Sequence, residues 1–281
     1  MGIESLFSVA GKRIVLTGGA GVLCRELAAA LVRGGASVVL VGRTLEKLQA
    51  VAGQCRQAAV EAGTASSANV FALAADVTDE SQVREVCLQS VEKLGGLDVL
   101  INGAGGNKRE ATARPDNPFF HIPAAALREV LDLNNIGTIL PCQVFGEVLA
   151  KQQAGNIVNF TSMAAFRPLT NVVGYAAAKA SISNFTQWLA VYMAAVSPDI
   201  RVNAIAPGFF LTEQNRFLLT EQATGNLTPR GQAVIGHTPM KRFGNPSDLI
   251  GALFYLVSDA SRFVTGSVLA VDGGFNAFSG V

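Results

Sequence analysis

A tyrosine and a lysine four residues apart, Tyr175 and Lys179, are the side chains of this 281-residue chain whose types and spacing first suggest chemistry. On a helix they project from one face, a turn apart. A phenol with an ordinary pKa of about 10 is a poor acid or base near neutrality. An ammonium beside it favours the phenolate and brings that pKa down, and Lys179 is expected to be that ammonium. Ser162 lies thirteen residues before Tyr175, where a short apolar strand carrying Ile157, Val158 and Phe160 ends. Ligands are held at strand ends in open α/β sheets, and a hydroxyl there can bond a substrate oxygen. Taken alone, Tyr-x-x-x-Lys reads more simply as an ordinary exposed helical pair. The rest of the chain decides against that reading.

The elements that must position these groups follow in order. Arg13 to Thr17 reads as a buried strand, running at once into Gly18, Gly19, Ala20, Gly21, Val22, Leu23 and Cys24 and then a helical pattern to Arg33. Strand, glycine turn and helix together predict a dinucleotide site, with Gly18, Gly21, Val22 and Leu23 as its pyrophosphate positions. Cys24 stands where a third glycine usually lets helix and strand pack closely, which calls for a modest adjustment. A second strand, Ser37 to Val41, ends in Gly42, Arg43 and Thr44 with no acid present. An acid there bonds ribose hydroxyls, whereas arginine suits a 2′-phosphate, so NADP is expected over NAD through Arg43. After a helical stretch over 45–63, the strand Val70 to Ala74 delivers Asp76 and Val77 to bracket an adenine, with Asp79 suited to cap a helix over 80–94.

The strand Leu97 to Ile101 leads into Asn102, Gly103, Ala104, Gly105 and Gly106, a run small enough to admit a nucleotide ribose. Asn102 is expected mainly to tie neighbouring strands together, and Ala104 and Gly105 to border the cofactor. Two loops, 106–123 and 212–241, are expected to cover a substrate. Lys108, Arg109 and His121 in the first could meet an anion, although solvated loop charge is the simpler reading. A helical pattern from Ala124 to Gln153 carries Asn134, Asn135 and Gly137 in its middle, which suggests a backbone irregularity or a held water. The helix bearing Tyr175 continues to Val196, apolar on several faces as if it packs on another subunit. A strand from Arg201 to Ala206 stops at Pro207 and Gly208, followed by Phe209, Phe210, Leu211 and Thr212, where Thr212 could bond a nicotinamide amide or a pyrophosphate. Residues 213–240 read as irregular, before a helix from Pro246 to Leu256 and a last strand, Val268 to Val271.

Composition narrows the function classes. Apolar residues make up 49% and charged residues 15%, so the core is large and subunit contacts are expected. Lys plus Arg number 22 against 21 Asp plus Glu, which supplies no basic field for nucleic acid or an anionic membrane. Cys24, Cys55, Cys87 and Cys142 are widely spaced, with no C-x-x-C pair, and read as free core thiols in a reducing, cytoplasmic setting. The opening residues lack a secretory pattern, Leu6 is wrong for myristoylation, and no apolar run reaches a membrane span, so the sequons at Asn159, Asn184 and Asn226 are expected to be chance matches. No metal site is assigned.

Strands and helices alternate along the chain, which argues for a single α/β domain over 1–281, a Rossmann-like doubly wound parallel sheet of about seven strands in the order 3-2-1-4-5-6-7. With TGGAGVLC, DVTD, NGAG, Asn134 to Gly137, Ser162, YAAAK, PGFFLT and VDGGF in order, the chain resembles the short-chain dehydrogenase/reductase family over its whole length. TSMAAFRPL, LPCQVF, IAPGFFLTEQNR and the ending DGGFNAFSGV resemble its D-mannonate oxidoreductase (fructuronate reductase) branch. The resemblance implies that Asn134 holds a proton-relay water, Ser162 bonds the reacting carbonyl, Tyr175 is the acid/base, and Lys179 bonds the nicotinamide ribose and tunes Tyr175. It also implies a homotetramer and reversible hydride transfer between NAD(P)(H) and a sugar-acid ketone, D-fructuronate to D-mannonate. A carboxylate substrate would need a cation near Tyr175, and Arg167 and Arg216 are the candidates. The alternatives are reduction of 5-ketogluconate, a neutral ketose or a 3-oxoacyl thioester, and, more distantly, a dinucleotide-binding regulator without turnover.

Overall fold

The computed structural model describes residues 2–65, 68–212, 216–221 and 224–280. Positions 66–67 of the polar loop and 213–215 and 222–223 of the expected second flap lie outside the described residues. Seven strands are described, β1 (Arg13–Thr17), β2 (Ser37–Gly42), β3 (Val70–Ala74), β4 (Val99–Asn102), β5 (Gly155–Phe160), β6 (Ile200–Pro207) and β7 (Val268–Val271). They form one sheet in the order β3-β2-β1-β4-β5-β6-β7, parallel throughout, as the alternation of elements requires.

A parallel sheet needs both faces covered, which is why its strands are nearly continuous apolar runs. After the short α1 (Ile3–Leu6), the helices α2 (Val22–Arg33), α3 (Leu45–Glu61) and, late in the chain, α10 (Ile250–Val257) bury Leu27, Leu31, Leu48 and Leu253 against one face. On the other face, α4 (Glu80–Leu94), α6 (Ile136–Gln152) and α7 (Val173–Val196) pack Val86, Phe145, Leu149 and Leu189 around Leu100 and Ile157. Local signals set the boundaries. Asp79 caps α4 by accepting from the Gln82 amide at 3.1 Å, and Gly95 ends it at φ 71°, a left-handed conformation that favours glycine.

The irregularity expected in the helical stretch from Ala124 is a break: the stretch is two helices, α5 (Ala124–Asn134) and α6, with Asn135 between them, whose carbonyl takes the Thr138 amide at 3.0 Å as well as the Ile139 amide at 2.8 Å. Another expectation is corrected. The segment 213–240 is not wholly irregular, because it holds α8 (Arg216–Leu219) and α9 (Pro229–His237). Thr228 caps α9 by accepting the Gly231 amide, and Pro229 stands in its first turn, both start signals of a helix.

Candidate active site

Register brings the strand ends into line. Thr17 pairs with Val41 and Asn102, Asn102 with Asn159, and Pro207 with Val271, so the loops that follow open on one edge of the sheet. There they enclose a cleft of about 800 Å³, within the range of small-molecule and cofactor sites, about 300–1,000 Å³. The loop after β1 lines it with Gly21, Val22, Leu23 and Cys24, the end of β5 and the start of α7 with Ser162, Tyr175 and Lys179, and the loops after β4 and β6 with Gly105 and with Pro207 to Phe210.

The glycine-turn end fits a dinucleotide on its own geometry. Gly18 has φ 68°, and a Cβ there would lie 2.7 Å from the Gly103 and Ala104 backbone, so only glycine permits this approach of β1 to β4. No side chain caps α2 at Gly21, and the first amides of that helix are left for an anion. Cys24 fills the usual glycine position by turning its buried thiol toward the Gly103 carbonyl, 3.8 Å away. Burial pushes that thiol up to about 12, so it is a packing group near neutrality.

Arg43, Asp76 and Val77 stand at the neighbouring ends of β2 and β3, which pair Gly42 with Ala74. Arg43 is exposed and Val77 buried, while Asp76 accepts from the Thr78 amide and hydroxyl at 2.9 and 2.7 Å, fixing the turn. Gly18, Arg43, Asp76, Val77 and Ala104 are not in the cleft wall itself. Asn102 is spent beneath it, donating to Asn159 Oδ1 at 2.9 Å and Cys142 Sγ at 3.1 Å, which ties β4 to β5.

The catalytic end is built from the end of β5 and the start of α7. Thr161 donates to the main-chain carbonyl of Lys179 at 2.7 Å, locking the first turns of α7 to the strand end. Lys179 is 4% exposed, donates to the Phe160 carbonyl at 2.8 Å, and holds its Nζ 5.6 Å from the centroid of the Tyr175 ring. Burial of this ammonium pushes it down to about 8. Tyr175 is half-buried, and burial raises its phenol, with a hydrogen bond from Ser162 pulling the other way. The expected lowering of Tyr175 by Lys179 is not seen: burial raises the phenol, and the group that pulls it down is Ser162. Ser162 also accepts from the Ala164 amide at 3.1 Å, which orients its hydroxyl.

Asn134 lies under the same cleft. Its side chain donates to the carbonyls of Gly106 and Val130 at 2.7 Å each and accepts the Gly106 amide at 3.2 Å. Its amide group is committed to the loop, and the main-chain carbonyl beside the helix break is what remains for a water. Gly105 separates it from Lys179, since a Cβ there would stand 2.7 Å from Asn134 Oδ1 and 3.1 Å from Lys179 Nζ. That spacing role is missed by the sequence reading, because only the fold brings residues 105, 134 and 179 together.

Past Pro207 and Gly208, Phe210 and Thr212 line the cleft. The two arginines proposed for a carboxylate do not. Arg167 donates through Nε and a terminal nitrogen to the Asn276 carbonyl at 3.2 and 3.0 Å, fastening the C-terminal segment, and Arg216 is exposed at the start of α8. The cations in the wall are Lys108, Arg109 and Arg114 from the loop after β4, besides Lys179.

Known proteins resemble this arrangement throughout. A family model described as Enoyl-(Acyl carrier protein) reductase matches residues 19–276. The uncharacterized oxidoreductase UxuB of Bacillus subtilis is 44% identical, with 98% of each chain covered, and the 5-keto-D-gluconate 5-reductase of Escherichia coli is 32% identical, covering 97% of this chain and 98% of that one. A crystal structure of a candidate D-mannonate oxidoreductase from Haemophilus influenza with bound NAD superposes with a TM-score of 0.89 at 40% identity, with 100% of both chains covered.

Proposed function

This chain belongs to the short-chain dehydrogenase/reductase family of NAD(P)-dependent oxidoreductases acting on CH–OH groups, and on that premise we propose that it reduces the ketone of a sugar acid, D-fructuronate to D-mannonate, reversibly. The observation that carries the reading is the gathering of Ser162, Tyr175 and Lys179 in one cleft with an uncapped helix N-terminus. When bound, the dinucleotide supplies the hydride. Ser162 holds the substrate oxygen, and Tyr175, neutral through burial, delivers the proton to it. Lys179 stands behind the phenol, fixed by the Phe160 carbonyl, where it favours phenolate once the proton has left and is placed to bond a ribose hydroxyl. The Asn134 carbonyl is placed for a water that returns the proton.

Arg43, exposed beyond β2 with no acid beside it in sequence, supports NADP as the cofactor. The NAD bound to the Haemophilus relative supports the second reading, NAD. The Escherichia coli relative's name supports 5-ketogluconate as a second substrate. Four buried free cysteines support a reducing, cytoplasmic setting, and an exposed apolar strip on α7 supports a homotetramer.

Initial rates of NADPH and NADH oxidation with D-fructuronate, 5-ketogluconate and neutral ketoses test the proposal. Turnover of fructuronate, faster with NADPH and lost in Tyr175→Phe by roughly 100-fold or more with cofactor binding intact, is the expected result. Turnover restricted to neutral ketoses would refute the sugar-acid assignment.

A further inference from the structure

We infer that Arg109 and Arg114 form a carboxylate-binding subsite in the cleft, a deepening of the sugar-acid reading that rests on it. Four side chains of the cleft wall are cationic, Lys108, Arg109, Arg114 and Lys179, and no described residue of that wall is acidic. Two of the four are already engaged. Lys179 is held by the Phe160 carbonyl, and Lys108 is ion-paired with Glu129 of α5, which pins the loop down.

The two arginines keep capacity to spare. Arg109 is exposed and has no ion pair or side-chain hydrogen bond among the described residues. Arg114 reaches Asp116 with a terminal nitrogen at 3.4 Å, its side chain is 27% exposed, and its Nε is buried without a hydrogen-bond partner. A buried donor left unused is costly, and a planar carboxylate is the group that matches a guanidinium fork.

Their loop is anchored at the reacting end. The Ala113 amide donates to the Asn171 carbonyl at 2.8 Å, and Ala111 is buried with Val130 in a cluster that Tyr175 packs against. Asn117 stiffens the loop from within, donating to the carbonyls of Glu110 and Thr112 at 3.0 and 3.1 Å. The dinucleotide phosphates have their own cradle, the uncapped start of α2. His121, also weighed from the sequence, is exposed and outside the cleft wall.

The test is binding of D-mannonate and D-gluconate, beside the matched neutral polyols mannitol and sorbitol, to the full chain saturated with reduced cofactor, a dead-end complex read by calorimetry. The aldonates are expected to bind at least about 10-fold more tightly than the polyols and to lose about 10- to 100-fold in Arg109→Met and in Arg114→Met, with Arg114→Lys intermediate. Arg84→Met, which removes the same charge from the exposed face of α4, is expected to leave aldonate binding unchanged. Aldonates binding no more tightly than polyols, arginine variants binding like wild type, or an equal loss in Arg84→Met would each overturn the subsite. Should Arg114→Met fail to fold, the exposed Arg109 carries the same comparison. Aldonate binding through Arg109 without turnover of any sugar acid would refute the proposed reaction and spare the subsite. Fructuronate turnover indifferent to both arginine changes would do the reverse.

Discussion

Lys179 is a charge kept almost out of water, and that cost has a measurable signature. Its ammonium sits at about 8 in the native protein, whereas an unfolded lysine titrates near 10.4. Between those values the unfolded chain binds the proton and the native chain does not, so native stability rises with pH across that window; below it the full burial cost is present. Lys179→Met removes the titration. In urea melts, wild type should therefore gain on Lys179→Met by about 2 kcal/mol between pH 7 and pH 10, and parallel pH dependences would show that the buried lysine is not destabilised. Tyr175 moves the other way, raised by burial, and it contributes only above its ordinary range. Together the pair keeps the acid protonated and softens the cation behind it. That Tyr175, Lys179 and Ser162 share one cleft was legible because their spacing is local, but the direction of the tyrosine shift was not, since burial depends on what packs over the ring.

Elements decide where those residues meet. The break between α5 and α6 frees the Asn134 carbonyl, and the loop after β4 is hung from the Asn134 side chain through Gly106. Gly105 is the spacer in that joint. Gly105→Ala is expected to lower kcat by roughly 100-fold, because a methyl inside contact distance of Asn134 and Lys179 shifts both by a substantial fraction of an ångström. It should also cost about 1–3 kcal/mol of stability. Steady-state rates with a fructuronate panel and a chemical melt check both, and a near-wild-type variant would mean that the joint gives way freely. The two adjacent asparagines signalled a break from the sequence. Which loop that break would hold did not follow, because Asn134 and Gly106 are far apart along the chain.

At the scale of the whole molecule, α7 serves the site with one end and offers another surface with its flank. Phe185, Trp188 and Tyr192 stack along it at 6.2 and 5.3 Å, and Trp188, Val191 and Tyr192 are 58, 74 and 55% exposed. An apolar strip of this kind, on the helix that carries Tyr175 and Lys179, is the face the proposed homotetramer would bury. On the proposed homotetramer, wild type is expected to scatter light as four times the 29.3 kDa chain, and Trp188→Glu as a smaller species with a lower melting temperature. An unchanged mass would remove this face from the assembly. No helix among the described residues is long and apolar enough to cross a membrane.

The sequence by itself determined the order of strands and helices, the parallel sheet and the glycine turn, and it singled out Ser162, Tyr175 and Lys179 for the proposed chemistry, because each of these is written in local signals: apolar runs, turn residues, one helical turn between a phenol and an amine. Boundaries such as Arg13–Thr17, Val70–Ala74 and Val268–Val271 fall where the residues place them. Only the tertiary structure decided which cations line the cleft. Arg167 lies near Ser162 in sequence yet is turned to the Asn276 carbonyl, while Arg109 and Arg114 line the cleft on a loop anchored to the Asn171 carbonyl. Side-chain direction, burial and the distance between remote segments are properties of packing, and packing is not encoded at any single spacing along the chain.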